Sequence, residues 1–351
     1  MKQNYAFLYL LIALILAVST GPLRAQVYPD VGAGVAPAEF ERVGSAGFQF
    51  LKLPTNAQMA AMGGVMSSLS RGDAAAAFTN PASTADVQSI SAHFSQMSWI
   101  ADIDYMNASV VKNMGAWGNF GLSFVYVDYG DMIRNEYNPI FDESGAYTFQ
   151  VEQQFDMGTF SASDVALGLS YGRNITDRLQ FGASFKYIQE KIDDAETSAL
   201  GIDIGTVYYT GLKSFRIAMV GRNFGPDTEF LEWSERIRVE SAKVKLPMTF
   251  ILGGAIDILE GGEDNPFLWT VAGEFVHTND ASEKINVGSE LGIMDLIKLR
   301  AGYRFNYDEE GLTLGAGLRL HTGSTFFTIN YAYVDFGRLD TVNMFSVSFG
   351  L

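Results

Sequence analysis

Leu312-Thr313-Leu314-Gly315-Ala316-Gly317-Leu318-Arg319-Leu320 carries an aliphatic side chain at every second position, with threonine, glycine or arginine between. Successive side chains of a strand point to opposite faces, so the stretch reads as a β-strand with one greasy face and one polar or tiny face. The segment before it repeats the pattern. Leu299, Ala301, Tyr303, Phe305 and Tyr307 interleave with Lys298, Arg300, Gly302, Arg304 and Asn306. So does an earlier one, where Leu179, Phe181, Ala183, Phe185 and Tyr187 alternate with Gln180, Gly182, Ser184 and Lys186. A soluble sandwich would alternate too. Here the apolar face runs about nine to eleven residues per segment, the length that crosses a membrane at a tilt. The opposite face, of glycine, serine, asparagine and charge, suits a wet or plugged lumen better than a dry core.

Working outward, the alternation extends from about Gln88 to Leu351 and divides into segments near 88–96, 104–112, 117–129, 160–172, 178–190, 198–210, 215–223, 243–256, 267–278, 284–293, 298–307, 311–320, 324–335 and 340–351. That makes fourteen, an even number, as single-chain bacterial barrels require. With both ends in the periplasm, the long polar connections 130–159 and 224–242 fall outside, and the short ones, 173–177, 211–214, 294–297 and 321–323, fall inside. Trp99, Tyr105, Tyr126, Tyr129, Tyr171, Tyr208, Tyr209, Tyr307 and Tyr333 gather near segment ends, as aromatic girdles at the two membrane interfaces would. Phe345, Val347, Phe349 and Leu351 alternate to the carboxyl end, so the last segment is a strand.

Composition narrows the function classes. The net charge of −16 argues against a nucleic-acid partner. The absence of cysteine removes disulfides, thiolate metal sites and cysteine nucleophiles. Lys2, the apolar run Tyr5 to Val18 and the small and polar residues after it read as an export signal cleaved after Ala25. Three isolated histidines, His93, His277 and His321, form no HExxH or zinc spacing, and no Gly-x-Ser-x-Gly elbow or phosphate loop occurs. The expectation is a non-enzymatic protein with no cofactor and no metal, whose surroundings are outer-membrane lipid.

Residues 26–87 differ in character. A glycine-, proline- and alanine-rich start leads into Phe48, Phe50, Leu51 and Leu53, then a small-residue stretch, Ala57 to Leu69, broken by Gly63 and Gly64. Such a segment suits a plug inside a barrel. The succession Gly47 to Lys52, Ala61 to Gly64, Asp73 to Ala77 and Asn80-Pro81-Ala82 resembles the N-terminal signature of PorV/PorQ-type outer-membrane proteins, itself similar to the hatch of FadL-type barrels. Gln58 stands where that signature has arginine, and Met59, Met62 and Met66 make one piece bulkier. The resemblance implies a FadL-like barrel of fourteen strands, all-β and antiparallel, crossing the membrane with an N-terminal hatch. Its parts would be a signal peptide over 1–25, an extension and hatch over 26–87 and the transmembrane barrel over 88–351. Gly63, Gly64, Asp73, Asn80, Pro81 and Ala82 form the hatch motif. The resemblance also implies an accessory role in type IX protein secretion, with translocon subunits or exported cargo as partners. The FadL kinship implies instead a channel for hydrophobic small molecules such as fatty acids.

Two residue sets remain as candidate sites. Lys186, Asp203 and Glu274 fall on the inward phase, as do Glu290, Lys298, Arg300, Arg304 and Arg319 on three consecutive strands. The latter five read either as a lumen ion-pair network holding a plug or as a seat for an anionic head group. The connection 128–156 is acidic, with Arg134 its one cation. Phe141, Tyr147, Phe149 and Phe155 within it make a candidate docking loop, since exposed aromatics mark contact sites.

Overall fold

The computed structural model describes residues 44–69, 72–141, 147–154, 157–229, 243–262 and 265–351. The export signal expected over 1–25 and the start of the expected hatch, 26–43, lie outside the described residues.

In chain order the strands are β1 (Ile90–Ser98), β2 (Asp104–Asn113), β3 (Asn119–Ile133), β4 (Glu136–Phe141), β5 (Tyr147–Gln154), β6 (Thr159–Thr176), β7 (Leu179–Ile192), β8 (Ala195–Tyr209), β9 (Arg216–Phe224) and β10 (Thr249–Leu259). They continue as β11 (Phe267–Thr278), β12 (Ala281–Ile293), β13 (Ile297–Phe305), β14 (Leu312–Thr322), β15 (Thr325–Asp335) and β16 (Thr341–Gly350). All but β4 and β5 form one closed antiparallel barrel of fourteen strands. Closure comes from β1 against β16, in the register Ala92↔Phe349 and Phe94↔Val347. A closed sheet has no free edge, so every backbone group in the wall can be paired without water.

One end of the barrel, the terminal end, holds the start of β1 and the finish of β16. Its connections are short: 114–118, 177–178, 210–215, 260–266, 294–296 and 323–324. The opposite, loop end carries the long connections 134–158 and 225–248. The outward residues form an apolar band: Phe94, Leu122, Leu169, Phe250, Phe275, Leu299 and Phe345 are each about half exposed to whatever surrounds the barrel. A soluble monomer rarely shows so continuous an apolar surface, and lipid satisfies it.

The structure corrects several boundaries. The strand expected over 243–256 starts only at Thr249, because Pro247 cannot donate to a ladder; Val244 makes an isolated bridge to Thr228 instead. Within the long connection 130–159, β4 and β5 pair as a two-stranded sheet of their own. The aromatic girdles are thinner than the sequence suggested. Tyr105 is fully buried in the lumen, Trp99 packs edge-on against Phe336 with ring centroids 4.9 Å apart, and Tyr129 donates to Asp164 at 2.6 Å. Period-two phase decides the side, and these rings sit on the inward phase.

The turn between β12 and β13 is tight, with the Leu296 amide donating to Ile293 oxygen at 2.9 Å and both central residues, Met294 and Asp295, at φ 52°. Type I′ turns demand this left-handed pair and favour asparagine and glycine, whereas a left-handed methionine costs roughly 1–2 kcal/mol. The Met294 side chain is exposed, and its amide, which asparagine would keep, donates to Pro266 oxygen at 2.7 Å. Met294→Asn is therefore expected to stabilise the barrel by about 0.5–1 kcal/mol. A raised urea midpoint for unfolding from lipid vesicles would register it; an unchanged or lowered midpoint contradicts the assignment.

Candidate lumen site

The lumen is filled from within by the residues before β1. A short helix, Ala57–Ala61, has Asn56 as its cap, whose side chain accepts from the Met59 amide at 2.7 Å. The helix ends on Gly63 and Gly64, both at positive φ, with the Gly64 amide returning to Met59 oxygen at 2.8 Å. A second helix, Ala76–Thr79, leads to Asn80 and a 3-10 turn opened by Pro81. Asn80 is fully buried: its Oδ1 accepts from the Ala82 amide and its Nδ2 donates to Ser67 and Thr206 oxygens.

These two corners rest on glycines of the wall. Gly288, Gly302 and Gly315, on β12, β13 and β14, face Met62, Gly63 and Ala61. A Cβ on Gly302 would lie 2.2 Å from the Gly63 nitrogen, one on Gly288 2.5 Å from Met62 oxygen, and one on Gly315 2.4 Å from the Ala61 Cβ. Gly172, Gly182 and Gly205, on β6, β7 and β8, do the same for the other corner. Their Cβ atoms would meet Thr84 at 2.1 Å, the Ala82 nitrogen at 2.3 Å and Asn80 Oδ1 at 2.0 Å. The three wall glycines pair directly, Gly172↔Gly182 and Gly182↔Gly205, so together they make a groove one side chain deep. The hatch motif thus divides: Gly63 and Gly64 sit on one groove, Asn80, Pro81 and Ala82 on the other. Asp73 caps a turn between them through the Ala75 amide, at 2.9 Å.

Polar pins complete the seat. Glu274 Oε1 accepts the Met66 and Ser67 amides at 2.9 and 2.6 Å, Thr313 bonds Gly63 and Ala61, and Asn119 donates to Thr84 and Val87 oxygens. Lys186 pairs with Asp203 at 2.8 Å, and Arg216 with Asp257 at 3.3 Å.

The five lumen charges do not meet as one cluster. Arg300 pairs with Glu290 at 2.6 Å, and Gln58 of the hatch donates to the same carboxylate oxygen at 3.1 Å. Arg304 pairs with Glu310 towards the loop end, Lys298 with Asp295 at the terminal end, and Arg319 lies over the Phe326 ring. Strand rise separates them, so charges adjacent in the strand pattern occupy different heights of the barrel. Of the docking loop, Phe141, Tyr147 and Phe149 lie in the β4–β5 backbone, their side chains outside the description, and Phe155 lies outside the described residues.

The histidines are scattered on β1, β11 and β14. His93 Nδ1 lies 2.9 Å from Ser348 Oγ and 4.0 Å from Asp73. A catalytic relay needs its serine and its carboxylate on different ring nitrogens. Here both approach Nδ1, beneath the hatch, which makes this a buried polar contact.

Above the hatch, towards the loop end, lies a cavity of about 420 Å³. Its lining mixes apolar side chains, Leu53, Trp99, Ile103, Val127, Ile251 and Val276, with charged ones. The charged ones are Lys52, Arg222, Glu274, Lys284, Arg304 and Glu310, with Val276 paired directly against Lys284 across β11 and β12. Lys284 sits 4.0 Å over the Tyr307 ring, and Arg222 donates to Leu51 oxygen at 3.3 Å. Volume and mixed lining match a small-molecule site. Sequence reading found Lys52, Glu274 and Arg304 only as part of other patterns and missed the apolar lining, because Trp99 and Ile103 come from the β1–β2 connection, Val127 from β3 and Ile251 from β10.

No family model matches the chain, and no curated protein sequence does. Solved structures of similar shape do exist. A Pseudomonas aeruginosa FadL homologue matches with a TM-score of 0.51 at 12% identity, covering 85% of this chain and 98% of its own. The CymD monoaromatic hydrocarbon channel gives 0.52 at 11%, covering 85% and 97%. The Pseudomonas putida toluene transporter TodX gives 0.52 at 11%, covering 84% and 96%. At such identity the likeness shows the fold: a FadL-type barrel with strands in the same arrangement.

Proposed function

We propose that this barrel resides in a bacterial outer membrane and takes a hydrophobic small molecule into the cavity above its hatch, as a binding site on an uptake channel. The observation that carries this is the cavity itself, lined in part by Leu53, Trp99, Ile103, Val127, Ile251 and Val276, set in a membrane barrel and floored by a plug. Solved barrels of the same fold described as a toluene transporter and as a monoaromatic hydrocarbon channel support the ligand class. A chain that crosses with strands alone, and whose fold is that of solved outer-membrane-type barrels, supports an outer-membrane location. Residues 26–87 would serve as the hatch region and 88–351 as the channel wall. The type IX reading, with translocon subunits and cargo as partners, rests on the resemblance over 47–82. The aromatic side chains it would use lie outside the described residues; the cavity favours the channel.

The test is binding. Val276→Trp projects an indole into the cavity from β11 and is expected to weaken binding of a fluorescent fatty-acid analogue by roughly tenfold or more, about 1.4 kcal/mol. The purified variant should keep the heat-modifiable gel mobility of a closed barrel. Unchanged affinity in a closed barrel places the ligand elsewhere. Mass spectrometry after purification in mild detergent checks the class directly: bound hydrophobic molecules support it, and co-purifying translocon subunits without them would favour the secretion role.

A further inference from the structure

The path of the hatch has a direction. At its near end the Gly44 amide donates to Asp280 oxygen at 3.3 Å and the Gly47 amide to Lys245 oxygen at 3.0 Å. Asp280 lies in the β11–β12 turn and Lys245 in the connection 225–248, both at the loop end. At its far end Asn113 and Asn119 donate to Val87 oxygen just before β1 begins, at the terminal end. Between Gly44 and Val87 the chain therefore passes through its own barrel from one mouth to the other. A plug preceding a strand that starts at the terminal end could equally have had both its ends there.

The entering strap is anchored at two places on the wall. Phe48 is fully buried in a cluster with Ala166, Ile188, Ala199 and Leu246 of β6, β7, β8 and the 225–248 connection. Lys52 Nζ and Gln49 Nε2 both donate to Asp280 Oδ2, at 2.9 and 2.8 Å. The residues between, Phe50 and Leu51, line the cavity. Asp280 is buried, which raises its pKa, but the bonds from Gln49 and Lys52 outweigh that and hold the carboxyl below its ordinary range. The folded-state value is depressed, so the contribution of this contact is present above the ordinary carboxylate range and is lost only as pH falls through the lower, folded-state value.

We propose that Gly44–Leu53 enters the barrel from the loop end as the lid of the cavity, with Ser45 on the same side of the membrane as the β4–β5 hairpin and opposite to Ser89. The sidedness stands independently of the channel reading; the lid rests on it.

Because the chain has no cysteine, single-cysteine variants report position directly. Ser45→Cys, Thr148→Cys on the hairpin and Ser89→Cys at the terminal end are treated in intact cells with a membrane-impermeant maleimide. Ser45→Cys is expected to react to the same extent as Thr148→Cys, and Ser89→Cys only after permeabilisation. Ser45→Cys sorting with Ser89→Cys overturns the sidedness, whichever way the barrel is inserted. The lid is read from Ile251→Cys inside the cavity. Adding Asp280→Ala is expected to raise its labelling rate about tenfold; an unchanged rate overturns the lid. If Asp280→Ala loses the closed-barrel mobility, Lys52→Met is the second variant, removing the same ion pair from its more exposed side with the same expectation. A barrel that binds no fatty-acid analogue yet shows these labelling results keeps the threading and loses the channel reading.

Discussion

Gly302→Leu is expected to throw the hatch off its seat and to destabilise the barrel by at least the roughly 3 kcal/mol at the top of the overpacking range. The reason is what a side chain would strike. A Cβ at 302 meets the Gly63 nitrogen at 2.2 Å, the Met62 carbonyl carbon at 2.4 Å and Thr313 Oγ1 at 2.7 Å. Two of these are backbone atoms of a turn that already uses positive φ at Gly63 and Gly64, so little in it can shift. The wall cannot retreat either, because Gly302 is laddered to Gly288 on one side and Thr313 on the other. The barrel's own hydrogen bonds are left intact, so the wall should close around a displaced plug. Two readouts follow: a lower urea midpoint, and single-channel conductance in planar bilayers well above that of the parent protein. Gly273→Ala is the control, since its Cβ would meet nothing closer than Asn286 oxygen at 3.6 Å, and it should change neither. A Gly302→Leu barrel with parental stability and conductance would mean that the hatch does not seal the lumen where its backbone touches β13.

The wall was legible in the sequence because each strand states its own two faces. Leu312 to Leu320 needed no partner to declare an outward aliphatic row, and fourteen such statements close a barrel with the long connections on one end. What failed was local. Pro247 moved the start of β10, and β4 and β5 pair with each other inside a connection read as polar. The lumen was half legible. The inward glycines read as a tiny face, but their meaning appears only once strands are put in register. Gly172, Gly182 and Gly205 then line up as one groove, and Gly288 pairs with Gly302 in another, with Gly315 two places along β14 from the partner of Gly302. Spacing within a single strand carries no signal of this kind; aligning inward glycines across neighbouring strands would have exposed it.

The charged residues show the opposite limit. Lys298, Arg300 and Arg304 share one face of one strand, yet each takes a different partner at a different height: Asp295 from a turn, Glu290 from the next strand, Glu310 from a loop. A charge on an inward phase is legible; its partner is not, because loops and hatch supply half the partners. Glu274 was visible as an inward carboxylate, but the amides it accepts come from Met66 and Ser67, more than two hundred positions earlier in the chain.

That bond is the second place where a single change should be felt. Glu274→Ala is expected to cost about 2–6 kcal/mol, the sum for two buried donors that lose their acceptor. It leaves the Met66 and Ser67 amides with no acceptor in the interior, and burial of unpaired donors carries the full desolvation penalty, roughly 1–3 kcal/mol each. Glu274→Gln separates hydrogen bonding from charge. The amide keeps an oxygen where Oε1 now accepts both N–H groups, so the hatch turn should hold and the loss should stay near 1 kcal/mol. Because Glu274 also lines the cavity, Glu274→Gln keeps the shape of the lining there and Glu274→Ala enlarges it. Urea midpoints of the three proteins in lipid vesicles decide the first point. Equal losses for Ala and Gln would show that charge, and not the pair of hydrogen bonds, holds Met66 and Ser67 against β11.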